Sequence, residues 1–239
     1  MSHLPTDERT SPLTIPRTND WQMGVLRGNA LENELLHAQR SLVLKLGGSL
    51  LAHAAWPRLV TNLLQSLPQR PLFVIVGGGA IVEGLRAIDA AAPQPSDVMH
   101  ALAIHAMGLT ARLVARVLGL PLVEALPEGG PTLGLLGAAR TEPRCRVLDV
   151  PAWLASSKRA ASLPVGWHVT SDSIAAHATT LCNGDLLLAK SVPPPPCPGN
   201  RLELTWLAKA GWVDHHFHEA AVPLASIGWA APFTPQSKS

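Results

Sequence analysis

The chain has 239 residues, 47% of them hydrophobic, which is enough to bury a sizeable core. Its 19 basic residues against 17 acidic ones leave a formal net charge of +2, too weak a field to grip a nucleic-acid backbone, so nucleic acid is not expected as a partner. The three cysteines, Cys145, Cys182 and Cys197, are widely spaced and form no CxxC pattern, which argues against a disulfide framework or a structural zinc site and fits a reducing cytoplasm.

Residues 1–20 are polar, carry Pro5, Pro12 and Pro16, and are expected to form a mobile tail without the apolar core of a signal peptide. No later stretch offers the unbroken run of about 18 apolar residues that a membrane span needs, so a soluble, cytoplasmic protein is expected. "WQMGVLRGNALENELLHAQR" reads as a short helix ahead of the first strand. "LVLKLGGSLL" (42–51) is then an apolar strand interrupted by Lys45 and a Gly47-Gly48-Ser49 turn, and "PRLVTNLLQSL" has the leucine spacing of a helix. A second strand, Leu72 to Val76, runs into three consecutive glycines, Gly77 to Gly79, with a helix from about Ala80 to Ala91. Strand, helix, strand, helix implies parallel pairing with crossovers.

Asp97 to Leu118 reads as a long helix opening on Ser96 and Asp97 as caps. "LPLVEAL" reads as a strand, "LPEGGPTLGLLGAART" as a loop and "RCRVLDV" as a further short strand. After Trp167 the sequence predicts a helix capped near Thr170 or Ser171, a stop at Asn183-Gly184, and a buried strand Leu186 to Ala189 with Lys190 at its carboxyl end. "PPPPCPG" (193–199) must be an extended loop, because its prolines donate no hydrogen bonds. "LTWLAKAGWVDHHFHEAA" reads as helix, turn and helix before a last apolar segment. The expectation is one α/β domain over 21–232 between short tails, 1–20 and 233–239.

Glycines directly after parallel strands let backbone N–H groups approach phosphate oxygens, and the following helices add their positive amino ends. Ligands of open α/β sheets bind beyond the carboxyl ends of the strands, so Lys45, Gly47-Gly48, Gly77 to Gly79 and Lys190 are placed to share one polyphosphate crevice. Neither the P-loop pattern nor the dinucleotide pattern G-x-G-x-x-G is met, since Val82 stands where the third glycine belongs. That leaves a nicotinamide-dependent enzyme as the weaker reading. Asp172 on a plain reading is a carboxylate in a first helical turn, favoured by the helix dipole. His100 and His105, five apart, do not share a helix face. "DHHFH" (214–218) cannot converge on one metal ion and reads as a solvated helix start.

"KLGGS" (45–49), "VGGG" (76–79), "VTSDSIAA" (169–176) and "LLLAKSV" (186–192), in that order between Ser41 and Val222, resemble the amino acid kinases, among them carbamate, acetylglutamate, aspartate and uridylate kinases. The resemblance implies a three-layer αβα sandwich with a mainly parallel sheet. "HALAIHAMGLTARL", a tryptophan before "VTSDSIAA" and "VDHHF" are most similar to the branch of methanofuran synthesis. That branch implies ATP-dependent phosphorylation of (aminomethyl)furanmethyl phosphate, with Mg2+ carried by ATP and no metal held by the protein. It also implies a small-molecule phosphate acceptor as partner and a homodimer or higher homo-oligomer, with neither membrane nor nucleic acid.

Carried onto this chain, the resemblance assigns Lys45 and Lys190 to the transferring phosphoryl group and Asp172 to orienting both. It assigns Gly47, Gly48, Ser49 and Ser191 to the nucleotide phosphates, and Gly77, Gly78, Gly79, His100, Thr170 and Ser171 to the acceptor. Two departures stand out: the proline run where many relatives carry aspartate and glycine, and His168 where an acidic residue is expected. They keep open a binding protein of the same fold that holds a nucleotide or oxyanion without consuming it.

Overall fold

The computed structural model describes residues 20–27, 40–129, 143–193 and 203–233. Three short apolar runs, β2 (Leu42–Leu46), β3 (Leu72–Val76) and β6 (Asp185–Ala189), are buried at every position. Strands so covered on both faces belong at the centre of a parallel sheet. Here they pair in parallel in the order β6, β2, β3. Among the described residues the sheet has seven strands, ordered β1, β7, β6, β2, β3, β5, β4, with β1 (Trp21–Arg27), β4 (Leu122–Val123), β5 (Cys145–Leu148) and β7 (Ile227–Pro232) flanking the centre. Only the β1–β7 pair is antiparallel.

Strand periodicity sorts the side chains into two cores. On one face Leu44, Leu46, Val74 and Val76 pack with α1 (Trp56–Ser66) and the carboxyl half of α3 (Ser96–Leu118). On the other Val43, Ile75, Leu186, Leu188 and Trp229 pack with α4 (Val150–Ser156), α5 (Ser171–Leu181), α6 (Leu204–Lys209) and α7 (Phe217–Ala220). Helices on both faces of a mainly parallel sheet make the three-layer α/β sandwich. The remaining helix, α2 (Gly79–Ala91), buries none of its residues fully and lies against α3.

Three local expectations need correction. The first seven residues of "WQMGVLRGNALENELLHAQR" form a strand and not a helix: Trp21 is buried, its Nε1–H donates to the Leu59 carbonyl at 2.8 Å, and the segment pairs with β7. "LPLVEAL" supplies only two strand residues, because it sits at the sheet edge with β5 as its single neighbour. Ser96 and Asp97 lie inside the first turn of α3, behind Pro95 as the capping residue. Helix α3 is also long and apolar enough to cross a membrane by length and composition, yet nine of its residues are buried in the protein. Among the cysteines, Cys182 is buried and Cys145 half-buried, and burial pushes both thiols up to about 11. Residues 28–39 of the expected short helix, residues 130–142 of the glycine-rich connection, the proline run beyond Pro193, Cys197 and the tails before Asp20 and after Phe233 lie outside the described residues.

Candidate active site

The two-residue period of the strands builds the centre of the site. Lys45 has the parity of Val43, so its side chain leaves β2 on the face covered by α5, and Lys190, one residue past β6, has the parity of Leu186 and Leu188. Asp172, in the first turn of α5, stands between them. Lys190 donates from Nζ to its Oδ2 at 2.6 Å. Lys45 Nζ lies 2.8 Å from Oδ1, an ion pair without hydrogen-bond alignment. Lys45 and Asp172 are each 4% exposed, and Lys190 Nζ lies 5.7 Å from the centre of the Trp229 ring.

Burial and charge compete here. Burial pulls the Lys45 ammonium down to about 8, Lys190 adds to that fall, and Asp172 and Asp214 oppose it. Burial also raises the Asp172 carboxyl, but the two ammonium groups outweigh it and hold the group at about 2. The carboxylate stays ionised between its cations at neutral pH.

The glycine loops continue the sheet. The Gly47 amide donates to the Ala189 carbonyl at 2.8 Å, and the Gly77 amide to the Leu46 carbonyl at 2.9 Å. A Cβ on Gly48 would sit 2.1 Å from the Gly79 nitrogen, and Gly79 itself has φ +56°. Two of the glycines that the sequence assigns to phosphate approach therefore also answer a packing demand, the contact of one loop with the other. Beside them Ser49 Oγ and Ser191 Oγ are 3.0 Å apart, joining the carboxyl ends of β2 and β6.

Two cavities flank Thr170 beside this centre, and only the smaller is lined by members of it. The larger, about 600 Å3, runs from Gly48 and Gly77–Gly79 along α3, and takes in His100, Thr170 and Ser171 with Ile104, Met107 and Trp167 as walls. The smaller, about 280 Å3, holds Asp172 and Lys190 beside Trp212, Val213 and Asp214. Arg86, Trp167 and Thr170 line both. His100 Nδ1 is 3.2 Å from both the amide nitrogen and the carbonyl oxygen of Gly166, whereas His105 is exposed and bonds back to its own helix at Ala101. Trp167 is held by its Nε1–H, which donates to Asp89 at 2.7 Å, and carries the Arg86 guanidinium 5.0 Å from its ring centre.

The structure thus brings Lys45, Lys190 and Asp172 into contact and gathers the other sequence-predicted residues around them. It also adds one that sequence reasoning missed. The "DHHFH" segment is no solvated helix start: Phe217 is fully buried, the His216 amide donates to the His168 carbonyl at 3.1 Å, and Asp214 is half-buried. The Asp214 carboxylate accepts from the backbone and hydroxyl of Thr170 and of Ser173. Those partners lie 44 and 41 residues earlier, so no local pattern announces the contact.

The profile of the amino acid kinase family matches residues 40–193, a segment that contains both glycine loops, both lysines and Asp172. The chain belongs to the amino acid kinase family. Members of this family are kinases that use ATP, usually with Mg2+. Among solved structures, uridylate kinase from Archaeoglobus fulgidus is similar at 16% identity and a TM-score of 0.50, covering 81% of this chain and 90% of that one. UMP kinase from Ureaplasma parvum is similar at 10% identity and a TM-score of 0.52, covering 78% and 87%. At such identities the likeness to these amino acid kinases concerns the fold. No curated protein sequence matches the chain.

Proposed function

We propose that this amino acid kinase transfers the terminal phosphoryl group of ATP to a small acceptor that is itself a phosphate ester, of the (aminomethyl)furanmethyl phosphate kind. The observation that carries the reading is the pairing of Lys45 and Lys190 with one buried carboxylate, Asp172 and Lys190 lining the smaller cavity next to the glycine loops. Phosphoryl transfer asks a protein for charge neutralisation and in-line positioning more than for covalent chemistry.

The nucleotide phosphates lie over Gly47, Gly48, Ser49 and Ser191, and the acceptor lies along Gly77, Gly78 and Gly79 with His100, Thr170 and Ser171. Lys45 and Lys190 approach the transferring group from either side, and Asp172 holds the two ammonium groups at a fixed separation against their mutual repulsion. A phosphate acceptor is ionised at neutral pH, so no general base is required. Mg2+ arrives with ATP and neutralises its phosphates. Asp172 spends both oxygens on lysines, which suits a metal held by the nucleotide rather than by this carboxylate.

The apolar walls at Ile104, Met107 and Trp167 suit a small flat ring behind the acceptor phosphate. Exposed Val98, Leu102, Leu109 and Val117 along α3 support a homo-oligomer that covers them. The test is ADP release with Mg-ATP and the furan phosphate. Wild type is expected to need both, and Lys45→Ala to lose about 100- to 1,000-fold in turnover while still folding. Undiminished activity in Lys45→Ala would sink the reading.

A further inference from the structure

We propose that Asp214 is a positioning residue for phosphoryl transfer, pinning the first turn of α5 so that Asp172 stays between the two lysines. The inference rests on the kinase reading and gives a role to a residue of "VDHHF" that the reading left without one. Thr170, the capping residue of α5, has extended backbone (φ −124°, ψ −167°) and makes no side-chain cap bond to its own helix. Asp214 does the capping from the connection between α6 and α7. Its Oδ2 accepts from the Thr170 amide at 2.9 Å, the Thr170 hydroxyl at 2.7 Å and the Ser173 amide at 3.0 Å, and its Oδ1 accepts from the Ser173 hydroxyl.

These bonds bracket Asp172, with one anchored residue before Ser171 and the other directly after Asp172. A charged acceptor gripping two residues at both backbone and hydroxyl leaves the intervening turn little room to shift. The helix does not need so strong a cap merely to form, since eight of its eleven residues are already buried. What gains from the grip is the residue inside the bracket, because the separation of Lys45 and Lys190 is set by the Asp172 carboxylate. The location agrees: Asp214 lines the smaller cavity together with Asp172 and Lys190.

Asp214 also acts on Lys45 through space. The charged groups that influence Lys45 are Asp172 from α5, Lys190 from the end of β6 and Asp214 from the α6–α7 connection. Removing one anion from this set leaves the buried ammonium with a single carboxylate against both burial and Lys190, and so shifts its titration downward.

The test compares full-length wild type with Asp214→Asn, which keeps the shape and removes the charge, and with Ser173→Ala, which keeps the charge and removes one bond. Three quantities are read: kcat and KM for Mg-ATP, thermal stability, and the titration of the Lys45 ammonium by NMR. Asp214→Asn is expected to lower kcat about 100-fold with KM for Mg-ATP within about threefold, and to move the Lys45 titration to lower pH. Ser173→Ala is expected to lower kcat less, in the same direction. A variant that melts earlier yet keeps kcat and the Lys45 titration would make Asp214 a helix cap and nothing more. Should Asp214→Asn fail to fold, an unchanged kcat in Ser173→Ala overturns the proposal. If wild type shows no turnover, the kinase reading falls by itself, and the Lys45 titration in Asp214→Asn still decides whether Asp214 acts on the lysine.

Discussion

At each end of the β2–β6 strand pair a buried aspartate meets two cations, and the two clusters differ in how they are built. At the amino ends, fully buried Asp185 pairs with Arg70 and, at 3.6 Å, with Arg40. Arg40 continues to the Asn183 and Gly184 carbonyls at 3.0 and 2.8 Å, and Arg70 to the Arg40 carbonyl at 3.4 Å. At the carboxyl ends, Asp172 pairs with Lys45 and Lys190 beside two cavities and two glycine loops. A guanidinium is a rigid fork that suits a closed set of fixed acceptors, whereas an ammonium is a compact charge whose donors can turn toward an incoming oxygen. The arginine cluster ties three strand starts together; the lysine cluster keeps its charge where a ligand can meet it.

The sharpest way to break this comparison is to remove one charge from each end. Lys45→Ala should cost turnover its factor of about 100 to 1,000 and leave the melting transition nearly unmoved. Asp185→Asn should do the reverse, lowering stability by about 3–5 kcal/mol, because a buried arginine loses its charge partner, while turnover per folded molecule is kept. Denaturant unfolding and ADP release on both variants check the pair, and similar profiles for the two would erase the distinction. Gly48→Ala should fall between them. The added methyl meets the Gly79 backbone, so the loops part, costing about 1–3 kcal/mol and lowering turnover together.

How much of this was legible in the sequence follows from where the determining contacts lie. The central strands and the helices over 56–66, 96–118 and 171–181 could be read because their burial is written in local periodicity, and the helix over 79–91, which buries no residue fully, because its apolar spacing lies between a glycine run and Pro93. The positions of Lys45 and Lys190 could be read because strand ends are local properties, whereas Asp172 could be read only as a first-turn carboxylate and its place between the lysines only through the family resemblance. The β1 strand could not, since its structure comes from β7 across the whole chain. Asp214 could not, since its four bonds reach back to another element. The glycines were readable as special but not for the right reason alone, because the close approach of Gly48 to Gly79 exists only once both loops are in place.

The smallest effect, and the one that separates the two roles of a buried lysine, is in the pH dependence. Lys45 is held at about 8 against an ordinary 10.5, so between those values the unfolded chain keeps a proton that the folded one has released. Its contribution to folding stability therefore rises as pH climbs from about 8 to 10.5 and is flat outside that window. On the proposed mechanism turnover uses the ammonium and should fall as pH climbs through about 8. Asp172 acts at the other extreme: held at about 2 against 3.8, it contributes stability above 3.8 that is lost as pH falls toward 2. Melting temperatures of wild type and Lys45→Met across pH 7 to 10.5 isolate the lysine, because methionine fills similar volume without a proton to lose. A wild-type advantage that grows with pH while activity declines fits an ammonium buried for its charge. Stability and activity falling together through the same range would mean that the ion pair serves the fold, and would put Lys45 in the same class as Arg70.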